Sequence, residues 1–265
     1  MIDKTKYISR ISGHAVVLGG SGGIGRTIVH ALAANGASAV SFTYGKNEKA
    51  ALELAEELKS MGVGGHCASV ERLDEAAFTL FLDEAVASVG EEIVMAVDAI
   101  GISPNQVHEE QKLDSAQRKK EGWLQVFQVN VFGSFSALRS IASRMKARGV
   151  KGAIVLITSS NGVNSQAEYS VHYDASKAAQ AHMMRTLAEP YAKDGIRVNA
   201  VAPGWVHTSD DMLPPDQNEI DKETAKIWLK RFAEPVEIAS VVTFLLSSSS
   251  SYIIGQNILV DGGYR

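Results

Sequence analysis

A single cysteine, Cys67, stands in the 265 residues, so no intramolecular disulfide can form and the fold has to rest on its apolar core. No apolar stretch reaches the roughly 18 residues of a membrane span. Neither charge sign dominates: 26 basic against 30 acidic residues leave a net charge of -4, which removes any whole-chain electrostatic case for nucleic acid or an anionic membrane. Met1 to Arg10 lacks the apolar core of a secretory signal, so a cytoplasmic protein is the expectation. The histidines at 66, 108, 182 and 207 have no metal-ligand spacing with the cysteine or with one another, and no metal site is expected. Internal repeats at solenoid periods are also missing.

What is present is alternation. Strand-like runs near 14–18, 38–43, 64–68, 93–98, 152–158, 195–202 and 256–260 are separated mostly by helical patterns of ten residues or more. Such order predicts right-handed crossovers and an α/β fold, its parallel sheet covered on both faces. A length of 265 residues suits one α/β domain over 1–265. Ser247 to Ser251 is the one low-complexity run and reads as a solvated turn between the last helix and the last strand.

The first strand, His14 to Leu18, breaks into Gly19-Gly20-Ser21-Gly22-Gly23-Ile24-Gly25 and then enters a helical pattern. Free amides at a helix start accept phosphate, and glycines let the ligand come close to the backbone. The spacing Gly19, Gly23, Gly25 departs from G-x-G-x-x-G, and no Gly-Lys-Ser/Thr follows, which excludes a P-loop. Glycine-rich turns also serve as plain loops and in methyltransferases.

Tyr173 and Lys177 are four residues apart, close to one helical turn, so phenol and ammonium share a helix face where the cation can favour the phenolate. A phenol titrating near pH 10 needs that help to exchange protons at neutral pH. The same spacing also arises on ordinary exposed helices, as Tyr169 before Tyr173 illustrates. Ala153 to Ile157 forms a further strand that ends in Thr158-Ser159-Ser160, and hydroxyls beyond the carboxyl end of a parallel strand face the ligand crevice. Ser160, thirteen positions before Tyr173, is taken as the site hydroxyl, and Ser159 as a turn cap. His172, about 100° around the helix from Tyr173, reads as a surface or interface residue.

These motifs, in this order, resemble the short-chain dehydrogenase/reductase family over nearly the whole chain. Gly19 to Gly25 resembles its cofactor turn; Asn130, in Val129-Asn130-Val131-Phe132-Gly133, its helix asparagine; and Ser160, Tyr173 and Lys177 its remaining catalytic residues. Arg197 to Gly204 is similar to the segment that passes the nicotinamide, and Gly255 to Gly263 to the last strand and tail. The resemblance implies a Rossmann-type, doubly wound, seven-stranded sheet. It also implies a cofactor site of Gly19, Ser21, Gly23, Ile24, Gly25, Tyr44, Lys46, Ser69, Val70, Ala99, Gly101, Tyr173, Lys177, Pro203, Gly204, Val206 and Thr208, Thr208 reaching the carboxamide. Lys177 is expected on the nicotinamide ribose, and Asn130 is expected to kink its helix and hold a water that returns the proton through Lys177. Family members commonly form homotetramers through the helices carrying Asn130 and Tyr173.

Departures from the family pattern are informative. Leu18 replaces a threonine, with effects expected only on packing. Asp98-Ala99-Ile100-Gly101 stands where Asn-Asn-Ala-Gly is common, so the sheet's bracing amides are missing and Asp98 needs another partner. Ser69 replaces the aspartate near the adenine. No acid lies between Ala37 and Asn47 to accept a ribose 2′-hydroxyl, while Tyr44 and Lys46 can border a 2′-phosphate, which favours NADPH over NAD.

Substrate choice is expected in a lid region near 205–232, which holds Pro214-Pro215 and a helical stretch from Lys222 to Arg231. Lys222, Lys226, Lys230 and Arg231 either attract an acidic carrier protein or form a solvated face. His207 is a further candidate for the pocket wall, and the charged segment Ser103 to Glu121 flanks the cleft entrance. The expected activity is NADPH-dependent reduction of a ketoacyl-type ketone, the substrate a small carbonyl or alcohol compound and possibly carrier-linked. An NAD(P)-dependent sugar or polyol dehydrogenase is the second reading. A dinucleotide-binding regulatory protein without turnover is the third.

Overall fold

Alternating residues of the central strands face opposite layers, and that alternation divides the core in two. The computed structural model describes residues 11–102, 120–164, 170–208 and 216–265. The segments 103–119, 165–169 and 209–215 lie outside it, and with them most of the charged stretch after Ser103, Tyr169 and Pro214-Pro215.

The strands are β1 (His14–Leu18), β2 (Ala39–Tyr44), β3 (Cys67–Ser69), β4 (Ile93–Asp98), β5 (Gly152–Ile157), β6 (Ile196–Pro203) and β7 (Asn257–Val260). They form one parallel sheet in the order β3-β2-β1-β4-β5-β6-β7. Each expected strand is present. β3 is shorter than expected: Gly64 meets β2 only as an isolated bridge to Ala39, and the ladder proper runs from Cys67 to Ser69.

The helices are α1 (Gly23–Ala34), α2 (Glu48–Ser60), α3 (Glu75–Val89), α4 (Lys120–Phe127), α5 (Ser134–Ala147), α6 (Val171–Ala192), α7 (Gln217–Lys226) and α8 (Pro235–Leu246). Their starts are written in the sequence. The Asn47 side chain accepts from the Ala50 amide and Asp74 from those of Ala76 and Ala77, while Glu234 and Glu237 form a reciprocal capping box ahead of Pro235. Ala15, Val17, Phe42, Val97 and Val155 pack with α1, α2 and α8; Val16, Leu18, Ala96, Ile154 and Leu156 pack with α3, α5 and α6. Each fully buried large side chain contributes about 1.5–3 kcal/mol, and this double layer fixes the positions of the strand ends.

Two expectations are corrected. Residues 227–231 are not helical: Ile227 is extended and bridges antiparallel to Tyr264, and Lys230 turns the chain at φ 57°. The serine run is only partly solvated. Ser247 and Ser250 are buried because the Arg197 guanidinium donates to the Leu245, Ser247 and Ser250 carbonyls at 2.8, 3.0 and 3.1 Å, closing the end of α8.

Candidate active site

The site lies beyond the carboxyl ends of β1, β4, β5 and β6, where strand order reverses on either side of β1 and β4. At β1, the chain leaves Leu18 through Gly19 at φ +75°, a conformation that favours glycine, and a Cβ on Gly25 would meet the Gly19 carbonyl oxygen at 2.1 Å. The turn therefore stays tight against the start of α1. Its N-cap is Gly22, without a side-chain cap, and the first turn carries no acid. Ser21 and Ile24 flank this turn half-buried. A backbone cradle of this kind, with its positive helix end open, fits the pyrophosphate of a dinucleotide.

Residues 203–208 close one side. Pro203 ends β6, the Gly204 amide donates to Val260, and Val206 pairs with Ala233. Thr208 comes so near the glycine turn that a Cβ on Gly23 would lie 2.9 Å from its Cβ and Cγ2. On the other side, the Ala99 amide donates to the Leu18 carbonyl, and Gly101 leaves room for Lys177, whose Nζ would be 2.9 Å from a Cβ placed there.

At the adenosine end, Tyr44 is half-buried and Lys46 exposed. The Ser69 hydroxyl donates to the Gly45 carbonyl at 3.1 Å, and Val70 packs on the core. The sequence reading overlooked Glu48, whose charge lies across the turn from the Tyr44 hydroxyl. Burial and then the Glu48 charge push that phenol up.

Tyr173 and Lys177 share one face of α6, the ammonium 5.8 Å from the phenol ring centroid. Beside the Tyr173 hydroxyl lies Ser159, the residue read from the sequence as a turn cap. β5 stops at Ile157; Thr158 anchors to the Val201 carbonyl at 3.0 Å and to Asn257 at 2.7 Å, Ser159 follows, and Ser160 already begins a 3-10 turn, Ser160–Gly162. Ser159 also caps that turn, accepting from the Asn161 amide at 3.2 Å, so its capping role and its contact with the tyrosine coexist. Gly162 seats the turn against α6: a Cβ there would lie 2.6 Å from the Lys177 carbonyl carbon.

Burial pushes Tyr173 up to about 12, opposed by the Ser159 bond and reinforced by the Asp174 charge. Burial brings Lys177 down to about 8, against the pull of Asp98 and with the push of Arg72. The expected lowering of the phenol by the lysine is thus replaced by the action of Ser159. Lys177 Nζ donates instead to the Ile157 carbonyl at 3.1 Å and to Gln180 Oε1 at 3.0 Å.

Asn130 is buried in a π-helical turn, Gln128–Gly133, that interrupts the helix running from α4 into α5. Its side chain accepts from the Ile102 amide at 2.9 Å and donates to the Ile102 carbonyl and Ser176 Oγ, each at 3.1 Å. The kink expected of this residue is therefore a π-bulge, one that ties the end of β4 to α6.

Asp98 has found its partner in Arg72. The guanidinium forks onto both carboxylate oxygens at 2.8 and 2.7 Å, and Ser134 Oγ donates to Oδ2 at 2.7 Å. Burial pushes the Asp98 carboxyl up, but the Arg72 charge and the bonds from Arg72, Ser134 and the Ile100 amide hold it below the usual range. No sequence signal pointed to Arg72, which acts here from just ahead of α3. His172 is fully buried, its ring 6.0 Å from that of Trp123, and is not a surface residue. His207 is exposed and 4.0 Å from Glu234. Among the described residues no cluster of metal-binding side chains occurs.

Comparison with known proteins gives this arrangement its context. A family model described as enoyl-(acyl carrier protein) reductase matches residues 19–265. A galactitol 2-dehydrogenase (L-tagatose-forming) of Cereibacter sphaeroides is 35% identical over 94% of this chain and 94% of its own. A 3-oxoacyl-(acyl-carrier-protein) reductase, FabG, of Staphylococcus epidermidis is 34% identical over 94% of this chain and 97% of its own. Among solved structures, a dehydrogenase/reductase from Sinorhizobium meliloti 1021 superposes with a TM-score of 0.86 at 28% identity, covering 98% of both chains. With its seven parallel strands, glycine turn and these relatives, the chain belongs to the short-chain dehydrogenase/reductase family and is an oxidoreductase acting on CH-OH or C=O groups.

Proposed function

We propose that this enzyme reduces a ketone of ketoacyl type with NADPH, Tyr173 delivering the proton to the carbonyl oxygen. The observation that carries the reading is the Tyr173–Lys177 pair on one face of α6, the buried ammonium 5.8 Å from the centroid of the phenol ring. The nucleotide supplies the hydride; the chain binds, orients and polarises. Gly19 to Gly25 receives the pyrophosphate, while Pro203, Gly204, Val206 and Thr208 flank the nicotinamide end. Ser160 stays a candidate for the polarising role, now beside Ser159. The serine hydroxyl and that of Tyr173 donate to the substrate oxygen as charge grows there, each worth a few kcal/mol. A phenol kept neutral by burial arrives with its proton in place. Lys177 holds the ribose and favours the phenolate left behind, and Asn130 positions the path by which the proton is restored.

Preference for NADPH rests on Lys46 and on the lack of any acid from Ala37 to Asn47; Glu48, the nearest, lies across the turn from Tyr44. Lys46→Glu is expected to move the preference toward NADH. The relation to FabG favours a carrier-linked thioester substrate, and the relation to galactitol dehydrogenase supports a second reading, oxidation of a sugar or polyol. We also propose a homotetramer: Leu124, Phe132 and Phe135 are exposed along the kinked helix, where subunits would pack.

The test is Tyr173→Phe, assayed by nucleotide absorbance with β-ketoacyl thioesters, diketones and sugars. A fall in kcat of roughly 10²–10⁴-fold, with nucleotide binding retained, is expected. Undiminished reduction of every ketone would remove Tyr173 from the role of acid.

A further inference from the structure

We propose that Gln180 is a positioning residue for Lys177: its side-chain amide, anchored through Ser134 on the buried Arg72–Asp98 ion pair, holds the ammonium in register with Tyr173. This inference rests on the catalytic reading of Lys177 given above.

The direction of every bond in the network can be followed. Arg72 donates to Asp98 and, at 2.7 Å, to Ser134 Oγ. Ser134 has one proton and places it on Asp98 Oδ2. Its oxygen is left to accept from Gln180 Nε2 at 2.7 Å. The NH2 end of the amide is thereby committed to Ser134, and its carbonyl oxygen is turned toward Lys177 Nζ at 3.0 Å. Reversing the amide would set an N–H against the ammonium and an oxygen against a hydroxyl with no proton to give. The carboxylate therefore fixes the hydroxyl, the hydroxyl fixes the amide, and the amide fixes the ammonium.

The network is rigid. Ser134, Asn130, Ser176 and Gln180 are fully buried, Asp98 and Lys177 nearly so, and the Arg72 side chain is 7% exposed. Arg72 is further held by the Val129 carbonyl at 2.8 Å, inside the π-turn that carries Asn130. A Cβ on Gly133 would meet its Nε at 2.3 Å, so this glycine admits the guanidinium. Removing one member of such a buried set leaves the rest uncompensated. The groups facing Lys177 are Asp98 from β4, Arg72 from ahead of α3, Tyr173 and Gln180 from α6, and the Ile157 carbonyl from β5.

Three variants test the inference on the intact chain, with steady-state reduction, its pH profile and thermal melting as readouts. Gln180→Met preserves shape and removes the acceptor: kcat falls roughly tenfold to a hundredfold with KM for the ketone unchanged, as for a misplaced catalytic group. The alkaline limb moves to lower pH, since the ammonium has lost an acceptor. Gln180→Glu keeps an acceptor on Nζ and moves the limb upward, while the oxygen it sets against Ser134 Oγ in place of the amide N–H leaves part of the loss in kcat. Lys177→Ala separates the two readings. Wild-type turnover in Lys177→Ala overturns the assignment of Lys177 itself. Loss of turnover there, alongside a Gln180→Met enzyme with unaltered kcat and pH profile, overturns the positioning role alone, whatever the melting temperature does. Where Gln180→Met does not fold, an unmoved limb in Gln180→Glu overturns it equally.

Discussion

Lys177 titrates near neutrality because burial outweighs the attraction of Asp98, with Arg72 adding to the decrease. Reduction needs the charged form, so its rate is expected to be level below about pH 8 and to fall above it as the ammonium loses its proton, a limb visible in kcat against pH. A profile level far into the alkaline range would assign the titration elsewhere. Stability runs the other way over part of this range. Between about 8 and the ordinary lysine value of 10.5 the unfolded chain holds a proton that the folded chain has given up, so stability gained from this group rises with pH. At this scale the sequence was partly legible. The Tyr173–Lys177 pair and Asn130 followed from spacing and resemblance, whereas the nearness of Ser159 to the phenol turns on where β5 stops and a 3-10 turn begins. Periodicity does not carry that boundary. Arg72 and Gln180 were invisible because their roles are set by residues distant in the chain.

The caps of α2, α3 and α8 were not singled out, whereas the seven strands were legible as elements, since apolar runs report local preferences. The segment after α7 was not, because its partner is the carboxyl-terminal tail. Trp228 and Leu229 amides donate to Gly263 and Gly262, Arg265 lies 5.2 Å over the Trp228 ring, and Glu223 binds Tyr264, Lys226 and Trp205 together. The tail is thus a latch on the end of α7 and the segment that follows it. Deleting Tyr264 and Arg265 removes the bridge, the stack and one partner of Glu223. KM for the ketone is expected to rise several-fold while nucleotide affinity falls less, since the glycine turn is anchored on β1 and α1. Calorimetric titration with NADPH together with KM measurement checks this split, and equal loss of both would make the tail a general scaffold. Lys226 and Arg231 are engaged by Glu223 and Glu237, so much of the charge once offered to a carrier protein is answered within the chain.

On the scale of the whole molecule, alternation of strand and helix was enough to give the parallel sheet and its two covered faces, because crossover handedness leaves few ways to wind such a chain. It could not show what the outer faces meet. Phe132 is 56% and Leu124 47% exposed, on the helix that carries Asn130. Light scattering on the purified protein is expected to give four copies, and Phe132→Glu with Phe135→Glu to give smaller species, since each buried aromatic lost to charge weakens association. A wild-type monomer would dismiss that assembly. One contact joins the ends of this scale: Gly23, at the mouth of the nucleotide cradle, abuts Thr208, at the foot of the lid region. A methyl group added at position 23 pushes on Thr208, so a change made in the glycine turn would be felt in the opposite wall of the cleft.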